Sequence, residues 1–515
     1  MNKLKEQKAI TLIALVVTVI VLIILAGVSI NLVLGDNGII TKAKEGKEDT
    51  IVGQEKEQVE LAYISAAVKK LGDNVTSEEL QEELNISVGD NKTEVTEKDD
   101  NILNVLFYDT THNYNIDNGK VSQVELLELH ISNYAELLDF ANRVNNGELF
   151  EDYIVYLDND IEIEDDDWIV IGTPGDRDNP GTHFSGTFEG NNHTINKLKL
   201  TTSKKYNGLF GVNDGRIQNL NVNGNLSGTL GIKIGLISGC NQGNINNCTA
   251  SIECDISLSD SGNYSLKFGG ITGFNSGTIS NCTVTGEIIT SGGSFSSTGG
   301  ITGINAKEVA NCKSFANING GTENVGGITG SMENYSNSKI KQCENYGSVT
   351  ANFNCFYNGG IIGHLTRNCS VEECTNKGDF TGDYYRSKTG GICGRMEDNS
   401  RIINCYVKAT GYSNSSEVDG IVGQTSGDDI LINNCYVCGV IPIDYITYAG
   451  REAAVDFITS CYYNKEISST AYETHNATGL TTEEMKSTEF LTMLGDKFKA
   501  DTNNINDGYP ILSFE

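Results

Sequence analysis

Residues 269–284 read GGITGFNSGTISNCTV, and loosened copies of that string return along the chain. It stands as GLFGVNDGRIQNLNV from Gly208, GLISGCNQGNINNCTA from Gly235 and GGITGINAKEVANCKS from Gly299, with looser copies from Gly326, Gly359, Gly390 and Asp419. Gly211, Gly239, Gly273, Gly303, Gly330, Gly363, Gly394 and Gly423 mark a step of roughly 27 to 34 residues, as in solenoids. Each copy holds two or three short β-leaning runs separated by Gly, Asn or Ser, and none has helical periodicity. One copy cannot bury its own apolar face, so copies must stack and share a core. The expectation is a mainly β chain, a right-handed parallel β-helix with one repeat per coil. Eight coils at a spacing of about 4.8 Å would make a rod of about 40 Å.

One register position in these copies holds Cys248, Cys282, Cys312, Cys343, Cys374, Cys405 and Cys435, and Leu220 in the first copy. A column that accepts Leu points inward, where free Cys packs as a small hydrophobe. Stacked equivalents then form an interior ladder of thiols. Disulfides between coils are less suitable, because in-register side chains point the same way and meet the required dihedral poorly. The preceding residues, Asn247, Asn281, Asn311, Gln342, Glu373, Asn404 and Asn434, form a mostly amide column that could cap turns or line an outer face.

Outward from the array, composition divides the chain into a basic leader 1–9, an apolar helix 10–34, an α+β spacer 35–128, the β-helix 129–478 and a helix-plus-strand cap 479–515. The run from Ile10 to Ile30 carries no charge and is long enough to cross a membrane as a helix. Lys3, Lys5 and Lys8 precede it, which keeps the short end in the cytoplasm and everything from Asn31 outward. In the spacer, Val59, Ala62, Tyr63, Ala66 and Ala67 recur at helical spacing within residues 42–71, and Asp117-Asn118-Gly119 signals a β-hairpin. In the cap, Thr481 and Glu484 make a capping box for one helix through Met485, Phe490 and Leu494, with Gly495 at its end.

The amino terminus, a basic leader followed by ITLIALVVTVIVLIILAGVSINLVLGDNGI and KAKE, resembles type IV prepilin-like proteins of the clostridial kind. That resemblance implies a prepilin peptidase cut between Ala9 and Ile10 and a place in a pilus-like assembly. Two positions depart from the family: Ala9 stands where Gly is usual, and Ala14 where a Glu aligns subunits. The second departure bears on filament incorporation more than on anchoring. The repeats resemble the GLUG-motif family through Gly208-Leu209-Phe210-Gly211, through the entry segment at residues 131–172 and through the early coil FSGTFEGNNHTINKLKL at 184–200. The resemblance implies a surface adhesin-like protein. Together the two imply a single-pass protein of a Gram-positive-type cell membrane with an extracellular C-terminal domain, carried on a filament or secreted after processing.

Net charge is -31, with no phosphate-neutralising basic face, which argues against a nucleic-acid partner. Four prolines argue against a Pro-rich stalk. His112, His130, His183, His193, His364 and His475 form no His-Glu-x-x-His pair, and there is no Gly-x-Ser-x-Gly elbow or phosphate loop. Acidic stretches such as Glu164-Asp165-Asp166-Asp167 lack the alternating spacing of a calcium loop. The reading is a non-catalytic binding protein with no cofactor, no metal and no catalytic residues, taking a glycan or a surface protein. The alternative is a polysaccharide lyase or glycoside hydrolase on a β-helix scaffold, with a site shared between coils. Phe353, Phe356, Tyr357, Tyr384 and Tyr385 fall where insertions bring aromatic residues to loops, and are the ligand-facing candidates.

Overall fold

The computed structural model describes residues 39–70, 74–89, 92–98, 102–107, 110, 112–164, 167–175, 181–200, 205–228, 232–257, 265–291, 295–332, 337–352, 355–382, 387–413, 418–441, 447–449, 458–468 and 477–515. The apolar segment 10–34 and the Ala9/Ile10 junction lie outside these. No described helix is long and apolar enough to cross a membrane. Two compact units emerge, Met1–Leu126 and Leu127–Glu515.

In the first unit, α1 (Ile39–Lys69) and α2 (Ser77–Ser87) accompany a four-stranded antiparallel meander. Thr76 and Glu79 close a capping box at the start of α2. Val59, Ala62 and Ala66 of α1 are buried with Leu80 and Leu84 of α2 and with Val105, Tyr114 and Ile116 of the meander, while Tyr63 and Ala67 pack half-buried beside them. The strands Asn113–Asp117 and Lys120–Val124 pair across Asn118 (φ 48°) and Gly119 (φ 79°). Positive φ at both central residues is what a two-residue hairpin turn demands.

The second unit is a solenoid of parallel strands. Each central coil contributes to four sheets, one more than the two or three runs per repeat suggest. The coil at Gly273, for example, supplies Lys267–Gly269, Thr272–Asn275, Thr278–Ser280 and Thr283–Ser291. The extra strand arises because Gly-Gly-Ile-Thr-Gly is divided by a two-residue corner at Gly270 and Ile271. We number the sheets first to fourth in that order. Among the described residues they hold 8, 9, 12 and 16 strands.

The interior is continuous from Ile131 to Cys461. At the corner between the third and fourth sheets, the residues before the ladder column, Asn219 through Asn434 and finally Ser460, all take φ between 50° and 55°. Asn tolerates this left-handed region better than other L-residues, which explains the amide column. The thiols of Cys248, Cys282, Cys312, Cys343, Cys374, Cys405, Cys435 and Cys461 each donate to the carbonyl two residues earlier, at 3.1–3.4 Å. The backbone N–H groups of Cys282, Cys343, Cys374 and Cys405 in turn donate to the sulfur of the next coil at 3.4 Å. Cys therefore does what Leu220 cannot: its sulfur accepts from a corner N–H, while the carbonyls that the thiols meet already accept from the backbone of the preceding coil. A second buried ladder links Asn213, Asn241, Asn275 and Asn305 through side-chain amides at 2.7–2.9 Å.

At the amino-terminal end, α3 (Tyr134–Asn145) buries Phe140 among Phe150, Phe184 and Phe188, with Phe210 packed behind them. At the other end, Ala477–Leu480 adds a parallel strand to Cys461–Asn464. The expected single helix is two, Thr482–Met485 and Thr488–Leu494, because Ser487 caps the second by accepting from Phe490 N. These helices pack along the flank of the fourth sheet: Met485, Phe490 and Leu494 join a cluster with Tyr406, Tyr436 and Tyr462. Glu515 reaches back to Lys377.

All fourteen cysteines are free and buried. Burial pushes the Cys248, Cys312, Cys374 and Cys435 thiols well above their ordinary pKa. Every ladder thiol, at 0–1% exposure, is also out of reach of a reagent in solution. We expect iodoacetamide to leave the ladder unlabelled in the native chain and to label every member in urea, as read by peptide mass spectrometry. Pairs that stay unlabelled in urea would reveal disulfides instead.

Candidate functional site

The first and second sheets come closest where the repeat glycines stand in the second-sheet strands. A Cβ on Gly239, Gly273, Gly303, Gly330, Gly363, Gly394 or Gly423 would lie 2.3–2.9 Å from a backbone nitrogen of a first-sheet strand, closer than real Cβ contacts come. Glycine is required here because two backbones approach one another with no room for a side chain. Along this seam two columns of side chains come together.

On the first sheet the column is Tyr206, Lys233, Lys267, Ser297, Asn324, Tyr357 and Lys388. On the second it is Val212, Cys240, Phe274, Ile304, Ser331, His364, Arg395 and Gln424, each directly following a repeat glycine. In mid-seam the columns touch: Ser297 Oγ lies 3.2 Å from Ser331 Oγ, and Asn324 donates to Ser297 Oγ. Longer side chains gather at the two ends.

The amino-terminal end opens into a cleft of about 230 Å³ between Tyr206, Lys233, Cys240 and Phe274 and the strand pair Thr173–Pro174 and Gly181–Thr182. Lys233 Nζ stands 3.9 Å from the Phe274 ring centroid, 4.7 Å from that of Tyr206 and 3.7 Å from Cys240 Sγ. The rings hold the ammonium by cation–π attraction. Burial pushes the Cys240 thiol upward in pKa although Lys233 acts in the opposite direction. Gln242 and His183 also line the cleft; Asp214 accepts from Gln242 Nε2 at 2.6 Å and lies 3.4 Å from His183 Nε2.

At the carboxy-terminal end, His364 Nε2 donates to Glu397 Oε2 at 3.0 Å, and Ser426 Oγ donates to Oε1 at 2.9 Å. Arg395 pairs with Glu397 and with the Tyr357 hydroxyl, and its guanidinium stacks 5.0 Å from the Tyr357 ring. The His364 hydrogen bond, opposed by burial and aided by Ser426 and Arg395, holds the Glu397 carboxyl at about 2. A carboxyl depressed in the fold stabilises it above its unfolded pKa of about 4.5, and that contribution is lost as pH falls towards 2. The thermal midpoint of the natural chain should exceed that of Glu397→Gln at pH 6, with the gap closing between about pH 4.5 and pH 2. A gap independent of pH would show that Glu397 acts through packing alone.

The ladder residues Leu220, Cys248, Cys282, Cys312, Cys343, Cys374, Cys405 and Cys435 are all interior, at 0–1% exposure, and face no solvent. Of the aromatic candidates, Phe353, Tyr384 and Tyr385 lie outside the described residues. Phe356 is exposed and Tyr357 half-buried in the seam, where it meets His364 and Arg395. Sequence reasoning missed the second-sheet column and the ladder's last member, Cys461. The signal in the sequence is the constant glycine, after which the residue varies from Val to Phe to His to Arg. Among the described residues, no three His, Cys, Asp or Glu side chains gather as metal ligands would.

No family model and no curated protein matches the chain. A solved structure from Bacteroides ovatus, provisionally described as an immunoglobulin A1 protease, is similar over 75% of this chain and 92% of its own, at 23% identity and a TM-score of 0.36. That score is too low for an argument about function.

Proposed function

We propose that this chain is a non-catalytic cell-surface protein whose solenoid binds a glycan at the seam between its first and second sheets. The observation that carries the reading is the pair of seam columns, which set aromatic rings, cations and hydrogen-bonding groups in register on a rigid scaffold. Sugar rings are bound by such flat apolar faces with polar groups at their edges. A surface protein as ligand is the other occupant of the same reading. The apolar helix 10–34 would anchor the solenoid outside the membrane, and the prepilin-like leader and GLUG-like repeats fit a surface-displayed, adhesin-like role.

Cleavage of the glycan is less well supported at the seam. Asp214 and Glu397 border it, but their coils stand six steps apart, about 29 Å at the usual strand spacing. Paired carboxylates of glycosidases act across roughly 5–10 Å. Each of the two is also committed to neighbouring side chains.

The test is a glycan array probed with the full-length chain, with reducing-end and unsaturated-product assays on whatever binds. Saturable binding without product supports the proposal. Product release, or an array with no signal, overturns it.

A further inference from the structure

Across the whole chain, acidic residues outnumber basic ones by 68 to 37. The seam columns reverse that balance. Among the described residues they hold Lys233, Lys267, Lys388 and Arg395 and no carboxylate. Cations gathered along one seam of an acidic protein give an anionic ligand a local counter-charge that the rest of the surface lacks.

The cleft at the amino-terminal end gives that anion a seat. Lys233 is held at its wall by two aromatic faces and a thiol, and among the described residues no carboxylate is paired with it. The neighbouring end of the seam is different: Arg395 is already matched by Glu397. Gln242 and His183 line the same cleft, and each pairs with Asp214, which fixes polar groups able to hydrogen-bond hydroxyls. Thr182 adds a hydroxyl on the hairpin side. A cation and hydroxyl-reading groups within one cleft match a ligand that carries both a carboxylate and hydroxyls. The cleft, about 230 Å³, is smaller than the roughly 300–1,000 Å³ of drug-sized sites and suits one sugar ring with the rest of the polymer outside.

We propose that this cleft is a subsite for a uronate unit of an acidic glycan, with Lys233 as the ligand of its carboxylate. The proposal rests on the glycan-binding reading above and narrows it to one substrate class. The overall negative charge does not prevent such binding. At physiological ionic strength charges beyond about 8 Å are largely screened, whereas Lys233 acts at contact, where charge-assisted hydrogen bonds are strongest.

The experiment is calorimetric titration of the full-length chain with galacturonate and glucuronate oligomers, each as free acid and as methyl ester, together with neutral oligomers of the same linkage. The free acid of at least one series should bind about tenfold more tightly than its ester, equivalent to about 1.4 kcal/mol. Lys233→Gln should remove that preference and Lys233→Arg should keep it, which separates loss of charge from loss of fold. Equal binding of acid and ester, or a preference that survives in Lys233→Gln, overturns the inference while leaving glycan binding in place. No binding of any uronate by a chain that binds neutral glycans does the same. Failure on every glycan, array included, overturns the broader reading instead.

Discussion

Lys377→Met is expected to lower the stability of the solenoid by about 3–5 kcal/mol and to release the carboxy-terminal flank, a result that unfolding curves and hydrogen exchange over residues 477–515 would show together. The side chains of Lys377, Glu344 and Glu515 are only 7%, 3% and 2% exposed. Lys377 Nζ lies 2.8 Å from Glu344 Oε2 and 2.5 Å from Glu515 Oε1. Lys313 shares Glu344, and the Tyr406 hydroxyl donates to Glu515. Burial works against the Lys377 charge, but the two carboxylates outweigh it and hold its pKa well above the ordinary lysine value. Take the lysine away and Glu515 keeps a neutral hydroxyl as its side-chain partner in a nearly dry site. The penalty is that of an uncompensated buried charge.

Replacing all three groups at once, as Glu344→Gln, Lys377→Met and Glu515→Gln, should recover most of the loss, because removing a whole buried ion cluster is far milder than breaking it. Acid should act in the same direction. Burial raises the Glu344 pKa, yet hydrogen bonds from Lys313, Lys377 and Tyr346 prevail and leave it below the usual value. Its contribution is therefore present above about pH 4.5 and fades as pH falls below that. A Lys377→Met chain with unchanged stability and an undisturbed flank would mean that the aromatic cluster around Tyr436 holds the tail alone.

The parts legible in the sequence are those that repeat within one coil. The period, the parallel stacking and the inward ladder follow from glycine spacing and from Leu220 standing where Cys stands elsewhere. What was not legible depends on contacts between coils. The seam sets Ser297 against Ser331 and Tyr357 against Arg395, 34 and 38 residues apart, and its column looks like variability because each member suits its neighbour across the seam. Cys461 escaped because its repeat has lost the glycines, although Ser460 keeps the left-handed turn before it. The tail was read as a terminal cap because helices after an array usually close its end. That Tyr406, Tyr436 and Tyr462 stack outward, on successive strands of the fourth sheet, shows why it lies along the flank. Their rings offer an apolar stripe that only a laterally packed helix could cover.

Gly303→Ala tests the seam midway along its length. A Cβ there would stand 2.6 Å from Phe268 N and 2.7 Å from Gly273 O, and both are backbone atoms that cannot rotate away. One methyl group thus forces two sheets apart, and we expect a loss of at least about 3 kcal/mol, the upper range for overpacking. The same substitution at Gly53, exposed in α1 with nothing within 4 Å, should instead stabilise by about 0.5–1 kcal/mol through helix propensity. The location of the damage is as informative as its size. In a solenoid each coil contacts only its neighbours, so one broken interface uncouples the array on either side. Hydrogen exchange should accelerate first in Lys267–Gly269, Ser297–Gly299 and Thr302–Asn305, and heating should show two transitions in place of one. If Gly303→Ala melts as a single unit within about 0.5 kcal/mol of the natural chain, the first two sheets do not meet as closely as the glycine column requires, and the cleft built on that meeting loses its rigid wall.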